Sequence, residues 1–172
     1  MFEEVTESSS IIRDATPADA AACLALWVQA CAARDGRSIV GVAERARPKF
    51  NHAESWIVAD DPELGLVGFL LATKAGSGLP TDPPEAPVVG LLAVDPSAQG
   101  RGVGGSLLSA IATELAQRGY ELAVLHVLAE NHQAVRLYES MGWKPRGEPF
   151  LHSLLKRPTQ TYALGLQSRS VR

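Results

Sequence analysis

The stretch Gln99-Gly100-Arg101-Gly102-Val103-Gly104 decides the fold, because it separates an apolar strand predicted over residues 88–94 from an amphipathic helix predicted to begin near Gly104. Glycines at alternate positions let the backbone turn sharply and bring several N–H groups to one point. The positive end of the following helix adds its own attraction for a phosphate. The stretch therefore predicts an anion-binding loop, and a pyrophosphate-bearing cofactor is its natural ligand.

Two other kinds of glycine-rich phosphate loop have to be weighed. A Walker A loop is excluded, because the chain continues Gly104-Gly105-Ser106-Leu107 where that loop needs Lys followed by Ser or Thr. The dinucleotide fingerprint G-x-G-x-x-G is satisfied by Gly100, Gly102 and Gly105, with Glu130 after the next strand. A dinucleotide domain continues through several strand and helix pairs, whereas only one more helix pattern follows here. A dinucleotide-binding protein stays as an alternative.

Two sequence blocks carry a family resemblance. The first is Leu91-Leu92-Ala93-Val94-Asp95-Pro96 followed by Gln99-x-x-Gly102-x-Gly104, which resembles the acetyl-CoA signature of the GCN5-related N-acetyltransferases, the GNAT superfamily. The second is Asn131-x-x-Ala134-x-x-Leu137-Tyr138-Glu139-x-x-Gly142-Trp143, which resembles the second block of the same superfamily. Both blocks occur in the family's order, and together they cover residues 88–146 closely.

The resemblance implies an N-acetyltransferase that moves an acetyl group from acetyl-CoA, its co-substrate, to a primary amine by direct attack in a ternary complex. It implies that Asn131 hydrogen-bonds the pantetheine arm, that Tyr138 protonates the departing thiolate, and that strand N–H groups near Leu92 and Val94 stabilise the oxyanion. No Cys, His and carboxylate cluster has the spacing of metal ligands, so no metal is expected. The implied cofactor-binding residues are Leu92, Ala93, Val94, Gln99, Gly100, Arg101, Gly102, Val103, Gly104, Gly105 and Asn131.

Structural alternatives exist for the two residues on the last predicted helix. Asn131 is also a good N-cap for that helix, and the two roles are compatible. Positions 131 and 138 lie nearly on one line, about 10 Å apart along the axis, so both can face one extended ligand. A core aromatic would explain the ring of Tyr138 but not its hydroxyl, since a buried O–H needs a partner. A non-catalytic acetyl-CoA-binding or sensor domain, the second functional hypothesis, could dispense with Tyr138.

His126 is the candidate general base. It lies five positions before Asn131, and in the members that acetylate ribosomal-protein N-termini the residue at that offset is a Glu thought to act as the base. A neutral imidazole could do the same work, because histidine accepts protons near neutral pH. The alternative is a half-buried strand histidine that shares a face with Val124 and Leu128.

Composition indicates one compact enzyme domain. The chain has 172 residues and a net charge of −3, with no basic stripe of the kind that nucleic-acid binding requires. No apolar run approaches the roughly 20 residues of a membrane span, and the first ten residues lack the positive charge of a secretory leader. We therefore expect a cytoplasmic protein that binds neither nucleic acid nor membrane, with a homodimer left open. Cys23 and Cys31 are expected to be reduced, since they lie about 12 Å apart on one helix.

The hydrophobic pattern predicts the order of elements expected of the GNAT fold. This is an α/β fold with a central mixed, mostly antiparallel sheet of about six to seven strands flanked by about four helices. One N-acetyltransferase domain is expected over residues 11–167, between a disordered tail at 1–10 and a C-terminal tail at 168–172. Strands are predicted at 11–14, 55–59, 66–73, 88–94, 122–128, 143–147 and 162–166, helices at 16–36, 39–50, 104–119 and 131–141, and loops at 76–87 and 150–158.

The acceptor is less constrained by the sequence. The resemblance places it against residues 27–50 and 150–156, which match no recognisable motif. Asp35, Glu44 and Glu54 could receive a cationic amine there, although charged side chains usually lie on solvated faces. A protein N-terminus, a polyamine, an amino acid and an aminoglycoside all remain open.

Overall fold

A seven-stranded sheet in the order β1-β2-β3-β4-β5-β7-β6 forms the centre of the computed structural model, which describes residues 10–167. Among the described strands, only β4 and β5 pair in parallel, and every other neighbouring pair is antiparallel. The strands are β1 Ile11–Asp14, β2 Ala53–Asp61, β3 Gly65–Thr73, β4 Val88–Val94, β5 Leu122–Leu128, β6 Lys144–Leu151 and β7 Pro158–Gly165.

Helices cover both faces of this sheet. The helices are α1 Ala20–Asp35, α2 Val42–Ala46, α3 Val103–Gln117 and α4 His132–Ser140. Helices α1 and α2 pack on one face, here called the α1 face, and α3 and α4 pack on the other, the α3 face. The predicted apolar stripe of α3 is buried as expected, because Leu107, Leu108, Ile111 and Leu115 all face the sheet.

The central strand β4 contributes to both cores. Leu91 and Ala93 pack with the α1 face, whereas Leu92 and Val94 pack with the α3 face. Successive side chains of a strand point to opposite faces, so a strand covered by helices on both sides is apolar throughout. This explains why residues 88–94 form an unbroken apolar run in the sequence.

A bulge and a divergence of strands open a cleft in the middle of the sheet. Opposite Leu71 and Ala72 of β3, the register skips Gly90, which makes this glycine the extra residue of a β-bulge. The parallel pairing of β4 with β5 includes only Val88 with Val124 and Val89 with Leu125. From Gly90 onward β4 has no partner on its β5 side, and the two strands separate.

Most predicted elements agree with the structure, and the predicted strands 143–147 and 162–166 and the predicted helix 39–50 differ. The predicted loop 150–158 is too long, because Phe150 and Leu151 belong to β6 and Pro158 begins β7. Strand β6 is exposed along nearly its whole length and contains two prolines, so no hydrophobic alternation marks it. The predicted helix 39–50 is split into α2 and a 3₁₀ segment, Arg47–His52, which has Pro48 in its first turn. Of the two predicted tails, residues 1–9 and 168–172 lie outside the described residues.

Candidate active site

A cavity of about 1180 Å³ lies where β4 and β5 separate, and it brings together nearly all the residues predicted for the site. A second depression, of about 700 Å³, lies on the outer surface of α3 and contains none of them. The predicted residues that line the cavity are Leu92, Ala93, Val94, Gln99, Gly100, Gly102, Val103, Gly104, Gly105, His126, Asn131 and Tyr138.

One end of the cavity is a row of backbone donors. Gly100 and Gly102 adopt φ values of +81° and +76°, which side-chain-bearing residues rarely reach, and they turn the chain into the N-terminus of α3. The N–H groups of residues 100–105 donate to no backbone or side-chain acceptor within residues 10–167. The first bond of the helix is formed by Ser106, which donates to the Gly102 carbonyl. A row of free N–H groups at a helix N-terminus has the chemistry to bind a phosphate.

Glycines also let α4 approach this loop closely. A Cβ at Gly104 would lie 3.2 Å from Leu137 Cδ2, and one at Gly105 would lie 3.8 Å from Met141 Sδ. The absence of side chains at these positions allows α4 to pack against the start of α3. The residues Asn131 and Tyr138 of α4 are thereby brought to the same cavity as the glycine loop.

Backbone donors of β4 face the middle of the cavity. The Asp95 N–H donates to the Val67 carbonyl at 2.7 Å, so this residue pair is hydrogen-bonded across β3 and β4. Hydrogen-bonded and non-hydrogen-bonded pairs alternate along an antiparallel ladder. Because Asp95 belongs to a hydrogen-bonded pair, Val94 and Leu92 belong to non-hydrogen-bonded pairs, and their N–H groups point away from β3. Because β5 has separated from β4 there, these two N–H groups face the cleft. They are the donors that the sequence predicted for an oxyanion.

Asn131 is the N-cap of α4, as the sequence allowed. Its side-chain Oδ1 accepts a hydrogen bond from the Ala134 N–H at 3.3 Å. This bond uses the carbonyl end of the amide and leaves its two N–H donors to the cavity that Asn131 lines. The capping role and a ligand-binding role are therefore compatible.

Tyr138 places a phenol with no protein partner in the cavity. Its hydroxyl makes no hydrogen bond within the described residues, and its ring packs against Trp143 with a centroid distance of 6.3 Å. Desolvation by the surrounding protein raises the pKa of Tyr138 to about 12. The phenol is thus a neutral hydrogen-bond donor at physiological pH, available to a ligand.

His126 is paired with a carboxylate that the sequence analysis missed. Its Nε2 lies 2.8 Å from Oδ2 of Asp82, a buried residue of the loop before β4, which also accepts the Leu79 N–H. A carboxylate only accepts, so the neutral imidazole keeps its hydrogen on Nε2 and leaves Nδ1 as the acceptor. A Cβ at position 78 would collide with the Asp82 carboxylate, so Gly78 makes room for the pair.

Arg101 is the one predicted site residue that does not line the cavity. Its side chain is half exposed, and its guanidinium lies 3.6 Å from the buried Oδ2 of Asp61 at the β2–β3 turn. The same Asp61 accepts the N–H groups of Glu63 and Leu64 through its other oxygen. The charge of Arg101 is therefore directed to this turn, away from the predicted phosphate site.

The carboxylates considered as amine receivers are engaged elsewhere. The side chain of Asp35 is 3% exposed and pairs with Arg34 at 2.9 Å and Arg157 at 2.8 Å. Glu54 pairs with Arg118, and Glu44 is exposed and does not line the cavity. The prediction that these three side chains receive a cationic amine is not supported by their positions.

Several basic residues that line the cleft were not predicted. Arg34, Arg45 and Lys49 line the cavity from the α1 face, and His152 and Arg157 line it from the β6–β7 loop. The segments 27–50 and 150–156 do frame this part of the cavity, as expected. The only sequence signal for Lys49 was its place within the first of those segments.

The two cysteines are buried and reduced, as expected. Desolvation raises the pKa of the Cys23 thiol to about 11 and also raises the pKa of Cys31, which lines the cavity. Burial therefore keeps both groups as thiols, which are weak nucleophiles. Within residues 10–167 no group of three or more His, Cys, Asp and Glu side chains could hold a metal ion.

Comparison with known proteins supports the family that the two sequence blocks resemble. A model of the acetyltransferase (GNAT) family matches residues 14–143, well over half of the chain. The chain belongs to the GNAT family of acetyltransferases. The predicted family is confirmed, and the mostly antiparallel sheet decides against the dinucleotide alternative, whose fold is built on parallel strands.

Curated relatives match part of the chain. A mycothiol acetyltransferase from Saccharomonospora viridis is 32% identical over 108 residues, which cover 62% of this chain and 35% of that protein. A mycothiol acetyltransferase from Brachybacterium faecium is 33% identical over 112 residues, which cover 62% of this chain and 33% of that protein. The chain spans about a third of the length of these relatives.

Solved structures confirm the predicted fold. The ribosomal-protein-S18-alanine N-acetyltransferase from Escherichia coli aligns with a TM-score of 0.69 at 20% identity, covering 95% of this chain and 99% of that one. The yncA protein of Salmonella typhimurium, solved with its cofactor acetyl-CoA, aligns with a TM-score of 0.68 at 20% identity, covering 96% and 98%. None of the helices in residues 10–167 is both long and apolar enough to cross a membrane.

Proposed function

We propose that this protein is an acetyl-CoA-dependent N-acetyltransferase that moves an acetyl group to a primary amine by direct attack in a ternary complex. The observation that carries the proposal is one cavity that holds a phosphate-type loop, two free strand N–H groups, an unpartnered phenol and a carboxylate-paired imidazole. Family membership supports the reaction class, and the acetyl-CoA found in a structural neighbour supports the co-substrate.

The residues present suit acetyl-CoA. The free N–H groups of residues 100–105 would bind its pyrophosphate, and the Asn131 amide would donate to its pantetheine arm. Acetyl-CoA supplies an activated thioester and a thiol leaving group. Catalysis then depends on what the chain arranges around the thioester, at the level where β4 and β5 separate.

Three groups divide the chemistry. His126, held by Asp82, accepts the proton of the attacking amine at Nδ1, because only the neutral amine is a nucleophile. The N–H groups of Leu92 and Val94 stabilise negative charge on the carbonyl oxygen. Tyr138 donates its hydrogen to the leaving sulfur, since its raised pKa keeps the phenol protonated.

Calorimetry with acetyl-CoA and NAD tests the co-substrate. Acetyl-CoA should bind with a dissociation constant in the micromolar range, and NAD should not bind, because the loop selects its ligand by close backbone approach. A thiol-release screen across an amine library then tests the reaction. Acetyl-CoA binding without release for any amine would favour a non-catalytic binding domain. NAD binding without acetyl-CoA binding would refute the proposal.

A further inference from the structure

The wall of the cavity formed by α1, α2 and the β6–β7 loop carries an excess of positive charge. The cations that line it are Arg34, Arg45, Lys49 and Arg157, and Glu130 is the carboxylate among the lining residues described. The carboxylate of Asp35 pairs with Arg34 and Arg157, and Glu130 pairs with Arg157. Within residues 10–167, Arg45 and Lys49 have no carboxylate partner, so their charges are uncompensated.

Lys49 lies at the point where the sheet opens. A Cβ at Gly90, the bulge residue, would lie 3.6 Å from its Nζ. Its ammonium makes no hydrogen bond or ion pair with the residues described, and burial followed by the charge of Arg45 lowers the pKa of Lys49. A desolvated ammonium without a partner is unfavourable, and an anionic ligand beside it would remove that cost.

This charge is separate from the phosphate-binding loop. Val94 is four residues after Gly90 along an extended strand, a distance of about 13 Å, and from there the chain leads into the glycine loop. Lys49 is therefore at the thioester end of the cleft, where the acceptor must enter, and far from the donors that suit a pyrophosphate. His126 directly follows Leu125, the partner of Val89, so it borders the cleft at the same level of the sheet as Gly90.

His152 adds a further donor to this wall. Its Nδ1 accepts the N–H groups of Leu154 at 3.1 Å and Leu155 at 3.0 Å, so its ring hydrogen is on Nε2. Burial, followed by the charges of Arg45 and Arg34, lowers the pKa of His152. The imidazole therefore stays neutral and serves as an N–H donor beside the two unpaired cations.

We propose that the acceptor of this transferase carries an anionic oxygen group, a carboxylate or a phosphate, as well as its amine, and that Lys49 and Arg45 bind that group. The inference rests on the proposed function, because it assigns the charge of the acceptor for the same reaction. The acceptor amine reaches His126 while its anion lies against Lys49. Polyamines and aminoglycosides carry only positive charge and are repelled by this wall.

Matched acceptor pairs test the inference. Each pair keeps the amine and removes the anion: L-methionine and L-methioninamide, β-alanine and its amide, O-phosphoethanolamine and ethanolamine. Acetylation of each is measured by thiol release with the wild type, Lys49→Met, Lys49→Arg and Arg45→Gln. The matched control is Arg47→Gln, because Arg47 is exposed on the same 3₁₀ segment and does not line the cavity.

We expect Lys49→Met to lower kcat/KM for the anionic member of a pair by about 10- to 100-fold, the usual effect of losing a charged hydrogen bond. The same variant should change kcat/KM for the uncharged member less than about threefold. Lys49→Arg should restore much of the anion preference, Arg45→Gln should lower it, and Arg47→Gln should leave it intact. The two amines of a pair have different pKa values. Dividing the wild-type kcat/KM by the variant kcat/KM for the same amine cancels that difference.

Two outcomes count against different claims. The anionic acceptor is overturned if transfer is efficient and Lys49→Met and Arg45→Gln reduce kcat/KM equally for both members of every pair. That outcome leaves the transferase activity standing. A folded protein that neither binds acetyl-CoA in calorimetry nor releases thiol would refute the proposed function, and the acceptor assignment with it.

Discussion

At the scale of single residues, Tyr138 has the ionisation that a proton donor needs. Its pKa of about 12 keeps the phenol protonated from neutral pH to about pH 10, so the group can donate throughout that range. Tyr138→Phe removes only the hydroxyl and should lower kcat roughly 10- to 1000-fold while leaving acetyl-CoA affinity nearly unchanged. Deprotonation of Tyr138 should therefore cause no fall in wild-type kcat below about pH 10. Up to that pH, the kcat profiles of the wild type and Tyr138→Phe should have the same shape.

Tyr120→Phe is the matched control for that change. Tyr120 follows α3, outside the residues that line the cavity, so loss of its hydroxyl should not alter kcat. Turnover by Tyr138→Phe equal to that of Tyr120→Phe would mean that Tyr138 is a packed aromatic without a chemical role.

The pair of His126 and Asp82 makes a second residue-scale prediction. If His126 accepts the amine proton, kcat/KM should rise with pH through an inflection that does not move between two amines of different pKa. His126→Ala should remove this inflection and lower the rate about 100-fold or more. Asp82→Asn should lower the rate about 10-fold, because an amide at this position no longer favours the tautomer with hydrogen on Nε2.

Glu85→Gln controls for a charge change in the same loop, since Glu85 is exposed and outside the cavity. An inflection that follows the amine, together with a near-native rate for His126→Ala, would show that His126 is a structural strand residue. A near-native rate for Asp82→Asn would limit Asp82 to holding its loop.

Sequence reasoning found the cavity-lining residues that belong to motifs and missed those that distant contacts bring to the cavity. Tyr138, Asn131 and the glycines stand at fixed spacings within two blocks, so they could be predicted. Asp82 meets His126 across 44 positions of sequence, through a loop with no periodic pattern. Lys49 becomes informative only because α2 and the bulge at Gly90 place it in the cleft, and no local signal encodes that arrangement.

At the scale of elements, the start of α3 combines an electrostatic function with a packing function. Its free N–H groups favour an anion, and its glycines allow contact with α4. Gly104→Glu and Gly104→Gln add side chains of nearly the same size against Leu137 and differ in charge. The glutamate variant should bind acetyl-CoA at least about 10-fold more weakly than the glutamine variant, because a carboxylate competes with phosphate for the same donors.

Thermal unfolding of the two variants separates packing from charge. We expect similar melting temperatures for both, somewhat below that of the wild type, because Leu137 must move a few tenths of an ångström for either side chain. Equal acetyl-CoA affinities for the two variants in calorimetry would mean that the loop does not recognise its ligand through charge.

Element boundaries could be predicted where burial imposes a period. Strands β4 and β5 match their predicted ranges because each begins and ends with its apolar run. Strand β1 also matches its predicted range, although it ends on Arg13 and Asp14. Strand β6 lies at the sheet edge with almost no buried side chain, so its pairing with β7 leaves no trace in hydrophobicity. The bulge at Gly90, which opens the cleft, depends on the register with β3 and is equally invisible in the sequence.

At the scale of the whole molecule, both sheet faces and the β6–β7 loop combine to form one cavity large enough for two substrates. Its volume of about 1180 Å³ exceeds the range of roughly 300–1000 Å³ typical of a site for one small ligand. Cys31 is the cysteine that lines it, and burial raises the pKa of this thiol, which disfavours an acetyl-cysteine intermediate. We therefore expect direct transfer between two bound substrates.

Initial-rate kinetics test that conclusion. With acetyl-CoA and one accepted amine varied together, double-reciprocal plots should intersect, since both substrates must be bound before any product leaves. The same pattern should persist in Cys31→Ser, because no step depends on the thiol. Parallel plots for the wild type would instead require a covalent route if mass spectrometry also detects an acetylated protein in the absence of amine. Loss of that acetylated protein in Cys31→Ser would identify Cys31 as the nucleophile.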